Sequence, residues 1–170
     1  SRQRASDAGM KVVNEGGEIL SISESACAEG TQVLVRDLFF NAPVRRDFLK
    51  GPRREAALCA ELMAQLILSR PDVAFRLSMD GQQVYASPGD GTLSGAVLSV
   101  YGVDILKALK EVDGGGQGVL VRGMIGVGEQ SRGTRAHQHF FLNGRAVRGQ
   151  LLTRALEEAC RHRVMIGRFP

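Results

Sequence analysis

The chain lacks tryptophan, holds two tyrosines and draws only 5% of its 170 residues from the aromatics. That scarcity argues against a single-strand nucleic-acid platform, which stacks bases on successive rings. Cysteine is equally sparse. Cys27, Cys59 and Cys160 lie far apart and form no C-x-x-C pair, an odd and scattered count that suits reduced thiols in a cytoplasmic protein. No apolar run approaches the ~18 residues that cross a membrane. The opening Ser1-Arg2-Gln3-Arg4-Ala5-Ser6-Asp7 has no apolar segment with which to act as a signal peptide. An initiator methionine is also absent, so a fragment is expected.

Several catalytic patterns are missing as well. Gly114-Gly115-Gly116 lacks the Lys-Ser/Thr that completes a P-loop, and Gly126-x-Gly128 meets Ser131 where a third glycine belongs. Both read as loop punctuation. His137 and His139 alternate about Gln138 and could share one side of a strand. Without Cys, Asp or Glu nearby they make a poor metal site, so none is assigned. No Ser-His-Asp or Cys-His grouping is supported by a local nucleophile motif.

Lysine occurs only at Lys11, Lys50, Lys107 and Lys110, so arginine carries most of the positive charge. Arginine forks suit phosphate geometry, although a GC-rich genome favours the same codons. A net charge of +4 and an isoelectric point near 9.3 permit a polyanionic partner without requiring one.

What is present is a hydrophobic content of 44%, enough for a core, in an alternation of strand and helix patterns. Met10 to Val13 and Gly17 to Ile22 read as strands around Glu15-Gly16-Gly17, and Thr31 to Arg36 as a third. Pro43 halts the Leu38-Phe39-Phe40 run and biases Ala42 away from helix. From about Arg53 to Ser69 the period turns helical, with Leu58, Leu62, Leu66 and Ile67 on one stripe. Val73 to Met79 alternates, Asp80-Gly81 turns, and Gln83 to Ala86 returns. A short helix from Leu93 to Tyr101 is closed by Gly102. The three glycines at 114–116 break the chain before a strand from Gly118 to Val127. Asn143-Gly144 joins strands at 136–142 and 145–148, and a last helix runs from Gln150 to about His162. No internal repeat appears. The boundary falls near residues 51–54: only strands precede it, too few to close a core, and sheet covered by helix follows.

The most specific stretch is residues 30–50, Gly-Thr-Gln-Val-Leu-Val-Arg-Asp-Leu-Phe-Phe-Asn-Ala-Pro-Val-Arg-Arg-Asp-Phe-Leu-Lys. A second block is Phe140-Phe141-Leu142-Asn143-Gly144-Arg145-Ala146-Val147-Arg148. Together, in this order and at this spacing, they resemble the MutL family of DNA mismatch-repair ATPases, of the GHKL class. The resemblance implies an α+β chain in two parts. Residues 1–53 would be the C-terminal strands of a GHKL ATPase sandwich. Residues 54–170 would be a transducer domain similar to domain 2 of ribosomal protein S5, truncated at its C-terminus.

It also implies roles. Gly30 and Thr31 match the family's last adenine-site motif, where glycine admits a ring and the hydroxyl donates and accepts. Apart from the family, a Gly-Thr pair is an ordinary strand start. Asn41 and Pro43 would fix a corner, Phe48 and Leu49 pack, and Arg45 anchor the junction, while Asp47 replaces a commonly basic residue. The family's general-base glutamate, magnesium-binding asparagine, Asp-x-Gly motif and Gly-Phe-Arg-Gly-Glu-Ala-Leu lid are absent. So is its γ-phosphate lysine. This chain alone is therefore expected not to hydrolyse ATP, nor to hold ATP or Mg2+ tightly, though the parent would bind both.

Arg132, Arg135, Arg145 and Arg148 are the candidate contacts to double-stranded DNA, made nonspecifically through phosphate charge. Gln150 stands where some relatives carry a further basic residue. Glu157 could instead pair with Arg161 one helical turn on. The parent would dimerise, engage a MutS-like mismatch sensor and stay clear of membranes. Two other readings remain: a non-enzymatic S5-like nucleic-acid-binding module, and another GHKL ATPase.

Overall fold

The computed structural model describes all 170 residues, in two compact units, Ser1–Gly51 and Pro52–Pro170. The first is built on one antiparallel hairpin, β1 (Gly9–Glu15) and β2 (Glu18–Ser25), with Val12 opposite Ile22 and a register shift at Val13/Asn14. Gly16 and Gly17 turn it at φ 63° and 104°, angles that side chains resist. Gly9 is buried, and a Cβ there would stand 2.3 Å from the Cys27 Sγ, so only glycine fits. An isolated bridge joins Arg2 to Gly30.

Beyond Gly30 the structure corrects the sequence reading. Residues 31–36 form no strand. Their apolar alternation is real, but a strand needs a partner for its backbone groups, and none pairs with this stretch. The corner at Asn41 and Pro43 does form. Ala42 is held off helix at φ −137°, ψ 70°, and α1 (Pro43–Asp47) starts on the proline. Asn41 Nδ2 donates to the Gly16 carbonyl at 3.2 Å, fastening the corner to the hairpin turn. Phe48 and Leu49, expected to pack, stay 76% and 40% exposed. Helix α1 is only five residues long and covers too little surface to bury them.

The second unit contains the core. Helix α2 (Pro52–Ser69) is followed by the hairpin β3 (Arg76–Met79) and β4 (Gln82–Ala86). Asp80 and Gly81 turn it with φ 50° and 78°, the paired positive angles of a type I′ turn. Thr92 caps α3 (Leu93–Tyr101), its Oγ1 accepting from the Gly95 amide at 3.0 Å. Gly102, at φ 82°, closes α3 and opens α4 (Val103–Ala108), a helix with no sequence signal of its own. Two further hairpins follow: β5 (Lys110–Gly116) with β6 (Val119–Ile125), and β7 (Phe140–Leu142) with β8 (Arg145–Val147). Helix α5 (Gln150–Ala159) comes last.

Ile67, Leu68, Ala96 and Val97 form the buried centre, where α2 meets α3, and Phe75, Tyr85, Met124 and Phe141 pack around it. The α2 stripe is therefore rotated from the expected one. Ala64, Ile67 and Leu68 are buried, whereas Leu58 and Leu62 are about half exposed. A helix repeats every 3.6 residues, so several stripes were available and α3 chose among them. The three glycines at 114–116 do not break the chain. They lie in β5 opposite Val121, Leu120 and Val119, where pairing supplies the order that glycine lacks alone. Nor is 136–142 one strand: Arg135–His137 is a 3-10 turn, and only Phe140–Leu142 pairs.

Candidate functional site

Gly30 and Thr31 lie in the first unit, at the end of the bridged segment. Gly30 has φ 107°, and a Cβ there would meet nothing within 4 Å. Glycine is thus favoured by backbone conformation, and the open space leaves room for a ring to approach. Both residues are exposed, and the Thr31 Oγ1 shares a 3.1 Å hydrogen bond with the Ser1 hydroxyl. A hydroxyl can hold a second partner in this arrangement, since it donates once and accepts twice.

The four candidate arginines belong to the second unit, and the structure sorts them. Arg132 exchanges backbone hydrogen bonds of 2.8 Å with Phe169 in both directions, which leaves its exposed side chain free of that pairing. Arg148 follows β8 and, with Arg135, borders a cleft of about 680 Å³. Arg145 starts β8 beside the Asn143-Gly144 turn, opposite Leu142, and does not border the cleft. Arg135 differs from the rest. Its guanidinium grips Glu157 of α5 with Nε and Nη2, at 2.5 and 3.0 Å, and lies 4.3 Å over the Phe169 ring. These hydrogen bonds hold the Glu157 carboxyl below its ordinary pKa. The expected Glu157–Arg161 bridge does not form, since Glu157 turns to Arg135 and Arg161 pairs with Glu158.

Also in the cleft wall is a group that sequence reading did not bring together. The Tyr101 hydroxyl and His139 Nε2 are 2.7 Å apart, and His137 meets the Tyr101 ring edge-on at 5.9 Å. Burial pushes the His139 pKa down, helped by the nearby His137 and Arg148 charges. Burial and Tyr85 push the Tyr101 phenol up, against the pull of Arg132. Tyr101 lies 38 residues from His139, and Arg135 lies 22 from Glu157, spacings that carry no local signal.

No group of three His, Cys, Asp or Glu could hold a metal ion. What the arrangement offers is cationic forks beside a half-buried aromatic and imidazole wall. That suits the binding of phosphate.

The chain resembles known proteins along nearly its whole length. A family model described as "DNA mismatch repair protein, C-terminal domain" matches residues 97–170. DNA mismatch repair protein MutL of Symbiobacterium thermophilum is 42% identical over 163 residues, 96% of this chain and 26% of the relative. That of Desulforudis audaxviator is 41% identical over 168 residues, 99% of this chain and 30% of the relative. The chain therefore spans less than a third of the length of either. Among solved structures, the Aquifex aeolicus MutL ATPase domain complexed with ADP superposes with a TM-score of 0.76 at 28% identity. That match covers 95% of this chain and 60% of the other. Another Aquifex aeolicus MutL ATPase-domain structure gives 0.77 at 25% identity, covering 97% and 62%.

Proposed function

Because this chain belongs to the MutL family of DNA mismatch repair proteins, we propose that its second unit forms part of a nonspecific, phosphate-binding face for double-stranded DNA. Its fold is α+β: the last strands of a GHKL ATPase sandwich, then an α/β domain similar to domain 2 of ribosomal protein S5. In this reading residues 1–53 belong to the ATPase domain and residues 54–170 to the transducer. Gly30 and Thr31 contribute one wall of an adenine site, which the open space around Gly30 supports.

The whole protein binds ATP with Mg2+, dimerises as nucleotide binds, and passes that state to a MutS-like sensor and other repair partners in the cytoplasm. The chain itself contributes walls and positive charge and leaves hydrolysis to residues outside it. No helix is long and apolar enough to cross a membrane.

The observation that carries the DNA reading is that Arg132, Arg145 and Arg148 all have exposed side chains outside the chain's ion pairs, with Arg148 on the rim of the cleft. Charge of this kind binds DNA by displacing counterions, so affinity must fall with salt, by a slope of about 0.9 per phosphate contact. The test is fluorescence anisotropy of a labelled duplex across a salt series, with the chain unsubstituted and as Arg132→Glu/Arg148→Glu. The expected result is weak, salt-sensitive binding that the double substitution reduces more than tenfold at low salt. Binding that is absent, or indifferent to both salt and substitution, would overturn the proposal.

A further inference from the structure

Arg135 stands in the arginine loop like a DNA contact, yet its fork is already committed. Both Glu157 carboxylate oxygens accept from it, and its opposite face is spent on Phe169. The residues around it are tied down in the same direction. Arg132 and Phe169 exchange two backbone hydrogen bonds, Gln138 Nε2 donates to the Pro170 carbonyl at 3.3 Å, and Arg168 Nη2 donates to the Ser131 carbonyl at 2.5 Å. The Gly128 amide donates to the Arg163 carbonyl at 2.9 Å. Loop 128–138 is thus laced to segment 163–170 along its length. Arg135, with Gln138 beside it, also ties it to α5 through Glu157.

We propose that Arg135 is a positioning residue rather than a phosphate contact: it clamps the arginine loop to Glu157 and Phe169 so that Arg132 is presented to DNA. The inference rests on the DNA-binding reading above. Glu157 occupies the Nε–Nη2 edge of the guanidinium and Phe169 one face, so only the Nη1 side, its charge already balanced by the carboxylate, is left to meet a phosphate. Lysine could not replace it, because a single ammonium neither forks nor stacks in this way. Loosening the clamp lets the loop move, and Arg132 then loses affinity through disorder rather than through charge.

The two roles predict opposite signs. A lone Glu157 beside a basic face repels DNA, so if Arg135 touched phosphate, Glu157→Gln would tighten binding. The clamp predicts that Glu157→Gln weakens it, by roughly two- to fivefold for a partly exposed pair, although a negative charge has been removed. Arg135→Met is expected to weaken binding equally, and the double variant no further, as a coupled pair requires. Through all three the salt slope should remain that of the unsubstituted chain, whereas Arg132→Met should lower it by about 0.9. Loss of fold alone does not reproduce this pattern, and a melting curve on each variant confirms that the chain is intact.

The experiment is the same duplex titration, run on these variants over the salt series. Tighter binding by Glu157→Gln, or a slope lowered by Arg135→Met, overturns the clamp and makes Arg135 a phosphate contact. Failure of the unsubstituted chain to bind DNA is a separate outcome, which overturns the DNA reading and with it the purpose of the clamp.

Discussion

The two units of this chain have similar apolar patterns and opposite fates. In residues 52–170, α2 and α3 meet around Ile67, Leu68, Ala96 and Val97, none more than 7% exposed. In residues 1–51 no apolar side chain is buried, and Met10, Val12, Leu20 and Ile22 are each about half exposed. The difference is one of layers rather than of composition. A hairpin has two faces and, with nothing laid across them, buries neither. A helix laid against another helix creates an interior at once. Stability in this chain is therefore expected to reside in the second unit.

The sharpest way to break that comparison is a pair of truncations at matched apolar positions. Ile67→Ala should cost about 2–5 kcal/mol, because the site is fully buried and closes poorly over the missing atoms. Val12→Ala should cost under about 0.5 kcal/mol, as exposed positions do. Urea denaturation measures both, and comparable losses would mean that the first unit has a core after all.

Glycines offer the next largest contrast. At Gly89, φ 70°, a Cβ would stand 2.4 Å from the Ala74 amide nitrogen; at Gly17, φ 104°, it would meet nothing. Gly89→Ala combines strain with a clash against backbone and should cost roughly 2–4 kcal/mol. Gly17→Ala carries strain alone, about 1 kcal/mol. Thermal melts of the two variants should separate clearly, and equal shifts would mean that the crowding at Gly89 adds nothing to the backbone strain.

The smallest effect is with pH. All three histidines lie in the second unit, and burial lowers the pKa of His139 in the folded chain. The unfolded chain then takes up a proton first. Stability is level above the unfolded value of about 6.5 and is lost as pH falls below it toward the folded value. The expected result is a modest drop in melting temperature from pH 7.5 to 5.5, made shallower by His139→Gln. A drop that His139→Gln leaves unaltered would place the sensitivity on carboxylates instead.

Legibility followed the range of the forces involved. The turns at Asp80-Gly81 and Asn143-Gly144 and the closing Gly102 appear where the residues imply them, since each is decided within a few positions. The corner at Asn41 and Pro43 does too, because Pro43 constrains its neighbour directly. Residues 31–36 and 114–116 misled in opposite ways. The first alternates like a strand but has no partner, and the second has glycines like a break but does have one. In both cases a pairing decision, made elsewhere in the chain, overrode local propensity.

The candidate site divides along the same line. Residue order in 30–50 and 140–148 was enough to indicate the family and to mark Gly30 and Thr31, while clustered positive charge marked Arg132, Arg135, Arg145 and Arg148. It could not distinguish those arginines from one another, because an ion pair across 22 residues leaves no mark on spacing. Local chemistry and family likeness are written in the order of residues. Which stripe of α2 is buried, that Tyr101 meets His139, and that the Arg135 side chain is paired while that of Arg132 is not became fixed only when distant segments packed. Burial and charge pairing depend on what lies across a gap in space, and that neighbour is chosen by the tertiary structure.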